Sequence, residues 1–188
     1  MATLSDNDKR VLLALARESL TAAANGNRLP EPNPEELSPT LMETGATFVT
    51  LTKAGELRGC IGALEPYQPL VADVIEHAAA AAIDDFRFLP VEPDETSQIA
   101  IEISVLTRPE KLDYTQTEDL HTLIRPGIDG VVIRDGARRA TFLPQVWEQL
   151  PDLNDFMAHL CRKMGASSEY WKKNHLEILL YQVIEFHE

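Results

Sequence analysis

Residues 99–106 read Ile-Ala-Ile-Glu-Ile-Ser-Val-Leu, an alternation with a period of two. Successive side chains of a strand leave opposite faces, so Ile99, Ile101, Ile103 and Val105 share one face and Glu102 and Ser104 the other. A strand apolar on one side and polar on the other belongs in an antiparallel sheet covered on one face. Upstream, Ala46 to Leu51 (Ala-Thr-Phe-Val-Thr-Leu) is β-branched and aromatic, Lys53-Ala-Gly-Glu56 has turn character, and Leu57 to Leu64 returns, which predicts a hairpin. Downstream, Gly130 to Leu143 predicts a second hairpin turning at Asp135-Gly136, and Leu176 to Phe186 a single long strand.

Helices fill the intervals. Ser5 to Ala24 has Ser5 as N-cap, Asp6 and Asp8 in the first turn, and a stripe of Leu12, Leu15, Ser19 and Ala22 before Gly26. Pro69 opens a helix that Leu70 to Asp84 continues; its small residues Ala79, Ala80, Ala81 and Ala82 predict close packing on a sheet. Thr117 to Leu123, Pro144 to Leu150 and Asp152 to Met164 predict shorter helices. Residues 27–40 hold four prolines, which remove donors and fix φ, so they predict an extended connection wrapping the domain. The expected fold class is α+β: a mostly antiparallel sheet with flanking helices. A length of 188 residues fits one domain, spanning 1–188, at about 100–200 residues each.

Seventeen Lys and Arg face thirty Asp and Glu, a formal charge of −13. Lys and Arg carry most non-specific nucleic-acid affinity, so a chain this acidic is poorly suited to coating DNA or RNA, and an anionic membrane surface repels it. No apolar run reaches the ~18 residues of a membrane span, and Met1 to Asp8 lacks the basic start and apolar stretch of a leader. Two cysteines, Cys60 and Cys161, make no disulfide framework, which leads to the expectation of a reducing cytoplasm. The five histidines are dispersed and Cys-x-x-Cys is absent, so neither metal nor cofactor is expected. Cys161 follows Met157 by four on an apolar stripe with Phe156 and Leu160 and reads as core.

The segment Leu57-Arg58-Gly59-Cys60-Ile61-Gly62 carries the chemical interest. Glycine inside a strand has nothing to pack, so two of them flanking a cysteine indicate close approach by another backbone or a ligand. Regular alternation puts Arg58 on the face of Cys60, where its charge favours a thiolate. Against this, free cysteine is among the most buried residue types, and Cys60 also reads as a small core residue beneath the alanine-rich helix. Glu102 reads either as part of a wetted sheet face or, beside the cysteine strand, as a partner that orients Arg58 or exchanges protons. Cys60, Arg58 and Glu102 are therefore the candidate catalytic residues, with Gly59, Ile61, Gly62, Arg87 and Ser104 lining a substrate site. Arg87, between Phe86 and Phe88, reads as an anion anchor or as the partner of a neighbouring aspartate.

Those residues resemble the AMMECR domain family, whose bacterial and archaeal members are called protein A of the AmmeMemoRadiSam system. Besides Leu57 to Gly62, the matching motifs are Phe48-Val-Thr-Leu51, Arg87-Phe88 with Pro90, Ile101 to Leu106, Gly127-Ile-Asp-Gly130, Phe142 to Trp147 and Leu160 to Gly165. The resemblance spans about Ser5 to Phe186, and departs from the pattern at Phe86, where the family usually has a small residue or proline, and at Leu89 and Val91, which vary beside Pro90. It implies a smaller flanking lobe and association with a Memo-like protein and a radical S-adenosylmethionine enzyme, and no settled reaction. Three functions compete: an accessory or adaptor subunit working through the Leu57–Gly62 cleft; an enzyme with Cys60 as nucleophile; and, weakest against the charge, an RNA-contacting module using Arg134, Arg138 and Arg139.

Overall fold

The Ser5 hydroxyl accepts the Asp8 amide at 3.1 Å while the Asp8 carboxylate takes the Ser5 amide at 2.9 Å, and this reciprocal cap starts helix α1, Asp6–Ala24. The structure is a computed structural model that describes residues 4–188; residues 1–3, part of the stretch read above for a leader, lie outside the described residues. The chain forms two compact units, one running to Leu106 and regaining Ile184–Glu188, the other Thr107–Val183.

In the first unit, α1 is followed by the proline-rich connection, which includes a 3-10 turn at Pro34–Glu36 and ends in the short helix α2, Pro39–Met42. Then come β1 (Thr44–Gly45), β2 (Thr47–Lys53), β3 (Glu56–Gly62), β4 (Gln68–Pro69), α3 (Leu70–Ile83) and β5 (Ile99–Leu106). The predicted first hairpin is β2–β3, turning through Ala54 and Gly55, both with positive φ. Pro69 caps α3 one position earlier than expected, since the helix proper begins at Leu70. The sheet order is β10-β5-β2-β3, with β10 (Val183–His187) returning from the end of the chain. Val49, Leu51, Ile101, Ile103 and Val105 line the buried face, packed with α1 and α3 residues such as Leu12, Leu20, Val74 and Ala78. The alanine run of α3 does let the helix settle on the sheet: a Cβ on Gly59 would sit 2.1 Å from the Ala81 carbonyl oxygen. Asp73, fully buried in α3, accepts the Thr47 amide at 2.8 Å and its hydroxyl at 2.7 Å, and His77 Nδ1 stands 3.2 Å from the same carboxylate oxygen. That cluster ties the helix to the first residue of β2.

The second unit holds β6 (Glu110–Lys111), α4 (Leu120–Leu123), β7 (Gly130–Asp135), β8 (Arg138–Phe142), α5 (Leu153–Lys163), α6 (Tyr170–Lys173) and β9 (Glu177–Tyr181), with antiparallel order β6-β9-β7-β8. Trp147 stacks on Phe156 with ring centroids 3.7 Å apart, and Cys161 is fully buried among them, as its stripe predicted.

One expectation needs correcting. Residues 176–186 are not a single strand but β9 and β10, which belong to different sheets. Gln182, between them, bonds Thr107 twice: its carbonyl accepts the Thr107 amide and its own amide donates to the Thr107 side-chain hydroxyl, both at 2.8 Å. Both halves carry strand-forming side chains, so composition could not reveal the break.

Candidate functional site

The register of the first sheet assembles the site. Thr50 of β2 stands opposite Cys60 on one side and Glu102 on the other, and Phe48 opposite Gly62 and Ser104. Paired residues share a face, and because Leu51 and Gly59 point at α3, the rows Thr50–Cys60–Glu102 and Phe48–Gly62–Ser104 lie on the face away from that helix. The structure therefore brings Cys60, Gly62, Glu102 and Ser104 onto one surface. Cys60 and Glu102 are two strand spacings apart, about 10 Å, with Thr50 between them. The Thr50 hydroxyl donates to Sγ at 3.4 Å, and among the described residues no histidine is hydrogen-bonded to it. Gly59 and Ile61 face the other way: Gly59 makes room for Ala81, and Ile61 packs on the core.

Arg58 is not part of that surface. The ladder slips between Leu51 and Thr52: Leu51 pairs with Gly59 but Thr52 pairs with Leu57, so Arg58 is the extra residue of a β-bulge. A bulge re-aims a side chain, and the guanidinium is spent elsewhere. Nη1 donates to the Leu89 carbonyl at 2.8 Å, while Nη2 donates to the Pro90 carbonyl at 3.2 Å and to Glu95 Oε1 at 2.5 Å. Lys53 completes the cluster, 2.6 Å from Glu95 Oε2. Hydrogen bonds from Arg58, then from Lys53, hold the Glu95 carboxyl down at about 2. The expected Arg58–Cys60–Glu102 group is thus corrected: the bulge breaks the period of two on which it rested.

Arg87 is the cation beside the cysteine. Asp85, buried just past the end of α3, accepts the Cys60 amide at 2.8 Å, and the Arg87 guanidinium bonds the same carboxylate at 2.6 and 2.9 Å. Arg87 Nη2 also donates to the Cys60 carbonyl at 3.2 Å. The Arg87 side-chain bonds hold the Asp85 carboxyl well below the usual carboxylate range, and the Arg87 guanidinium is itself strengthened, first by Asp85 and then by the Cys60 thiol. β3 is an edge strand, and an unpaired edge invites another chain. Asp85 and Arg87 occupy the outward donor and acceptor of Cys60 and close the edge there. Of these residues the sequence marked Arg87 alone. Asp85 was visible as its neighbour, whereas Thr50 and Glu95 depend on register and on the bulge and had no local signal.

Of the three arginines of the second hairpin, Arg134 and Arg139 stand opposite each other in the ladder and Arg138 is engaged locally. Arg138 pairs with Asp135, meets the Tyr170 hydroxyl at 2.8 Å and lies over the Tyr170 ring.

An α+β chain with two four-stranded sheets, and an Arg-Gly-Cys-Ile-Gly edge strand clamped by an Asp-x-Arg turn, defines a distinct class of protein. Residues 13–186 match the AMMECR1 family model, and the chain belongs to the AMMECR1 family. A Methanothermobacter thermautotrophicus protein is 37% identical over all of this chain and 97% of its own length, and one from Thermofilum pendens is 36% identical over all of this chain and 93% of its own. The crystal structure of an uncharacterized protein from Pyrococcus horikoshii superimposes with a TM-score of 0.81 at 32% identity, covering 98% of this chain and 93% of that one. Among the described residues no helix is long and apolar enough to cross a membrane.

Proposed function

We propose that the chain is an accessory or adaptor subunit, with the Leu57–Gly62 strand as a rigid recognition edge. Its partners, on the family resemblance, are a Memo-like protein and a radical S-adenosylmethionine enzyme. One observation carries this reading: the polar groups of the hallmark hold its own backbone and turn in place. Arg58 is committed to Glu95 and two carbonyls, and the Cys60 amide and carbonyl are committed to Asp85 and Arg87. A general base is one of the groups that activate a cysteine nucleophile, and the hydrogen-bond partner of Sγ is the Thr50 hydroxyl, which is not one. Co-purification of the tagged chain with the two partners tests the proposal. Cys60→Ser should retain both, because the thiol makes no backbone bond. Arg58→Ala should weaken retention roughly ten-fold or more, because it frees the Leu89–Pro90 carbonyls from the strand. Failure of the unaltered chain to retain either partner would refute this function.

A second reading, Cys60 as the nucleophile of a modification reaction, draws on the Arg87 guanidinium, which bonds the Cys60 carbonyl at 3.2 Å. The alkylation rate of Cys60 followed against pH decides it. Reaction well below the pH at which ordinary thiols respond favours the nucleophile, and a thiol inert until denaturation removes it.

A further inference from the structure

The turn that clamps the hallmark strand also exposes the two most solvent-accessible large apolar side chains among the described residues, Phe86 at 95% and Leu89 at 84%. Apolar side chains of this size gain substantially on burial, and a backbone that holds two of them in water three residues apart is presenting them. The presentation is rigid. The Phe88 amide bonds the Asp85 carbonyl at 3.0 Å, the Val91 amide bonds the Ala82 carbonyl at 2.8 Å, and Arg58 grips the Leu89 and Pro90 carbonyls from below. Asp85 and Arg87 fix the other side of the turn to Cys60. Such anchors lose little freedom on binding, which is how preorganised contacts become energetic centres of an interface.

The charges around the turn specify the partner. Residues 84–95 contain five carboxylates and one arginine. Arg87 is paired with Asp85, and Lys53 and Arg58 are both paired with Glu95. Asp84, Glu92 and Asp94 remain exposed, with no cation paired to them among the described residues. A second copy of this chain would bring the same acidic rim and another charge of −13, so like charges oppose self-association.

We infer that Phe86 and Leu89 form a docking knob that enters an apolar pocket rimmed by Lys or Arg on a different protein. The inference rests on the accessory-subunit reading and adds the contact residues and the chemistry of the partner's surface. The test is p-benzoylphenylalanine at position 86 of the full chain in its own cells, with the same probe at exposed Glu35 as control, followed by mapping of the cross-linked peptide. An adduct to one other protein, specific to position 86 and lying in a segment of net positive charge, is expected. Binding of that protein, once purified, should weaken at least about thirty-fold in Phe86→Ser and in Leu89→Ser. It should also weaken in Asp84→Lys and with rising salt. No adduct above the Glu35 control, an adduct to a second copy, or an adduct in an acidic or uncharged segment overturns the knob. If the two proposed partners co-purify while position 86 yields nothing, the accessory reading stands and the knob falls. An adduct to a basic protein other than those two keeps the knob and removes the partner assignment.

Discussion

Glu95 is the residue on which the hallmark arginine depends, and it lies outside every motif read from the sequence. Arg58 and Lys53 converge on its carboxylate, and its side chain is only 13% exposed. Its carboxyl sits at about 2 against an ordinary 4.5. The folded value is the lower one, so the stabilisation is fully present above about 4.5 and drains away as pH falls toward 2. Urea melts between pH 2 and 7 should show Glu95→Gln less stable by about 2 kcal/mol at neutral pH, with the gap closing at the acid end of that window. A constant gap across the window would show that the carboxylate charge is not what matters. The same neighbourhood takes Arg58 off the face that regular alternation assigns it. Period-two alternation holds only in an unbroken ladder, and one extra residue opposite Leu51 and Thr52 sends the guanidinium toward Glu95 instead of Cys60. Glu102 and Ser104, where the ladder is regular, share a face as their spacing predicts, and the register through Thr50 adds Cys60 to it.

At the scale of elements, the central contact is α3 against β3. Gly59 is the point of closest approach, its missing Cβ replaced by the Ala81 carbonyl oxygen. Gly59→Ala must push helix and strand apart along their length, because both atoms that clash are bonded to backbone. The expected cost is at least about 2 kcal/mol, seen as a fall in thermal midpoint. Glu56→Ala, at the exposed start of the same strand, should stay within about 0.5 kcal/mol. Equal midpoints for the two variants would mean that the helix accommodates the methyl without cost. This contact was legible in outline, since a run of alanines opposite a glycine-bearing strand has few other meanings. Asp85 and Arg87 closing the β3 edge were not, because a turn residue reveals which strand it meets only after the chain has folded.

For the whole molecule, the end of the chain completes the first sheet. β10 lies beside β5, Phe186 is buried in the same core as α1, and Glu188 pairs with Arg17, which also donates to the Thr96 carbonyl at 2.8 Å. Removing residues 184–188 should lower stability by about 3 kcal/mol or more, because it strips the β5 edge and opens the Phe186 site. Arg17→Ala, which leaves the strand in place, should cost only about 1 kcal/mol. Calorimetry of the two variants separates these contributions, and a shortened chain as stable as the full one would show that β10 merely rests on the sheet. The amino-acid sequence by itself determined the principal helices and strands, the Ser5 cap, both hairpins and the face that Glu102 shares with Ser104, because each follows from contacts within a few residues or from a side-chain period. Tertiary structure decided which sheet each half of residues 176–186 joins, that register brings Cys60 and Glu102 to one face, where the bulge re-aims Arg58, and that Arg87 rather than Arg58 bonds Cys60, through its carbonyl. Those outcomes turn on pairings between residues tens of positions apart, where many arrangements have similar local propensity and only packing of the folded chain selects among them.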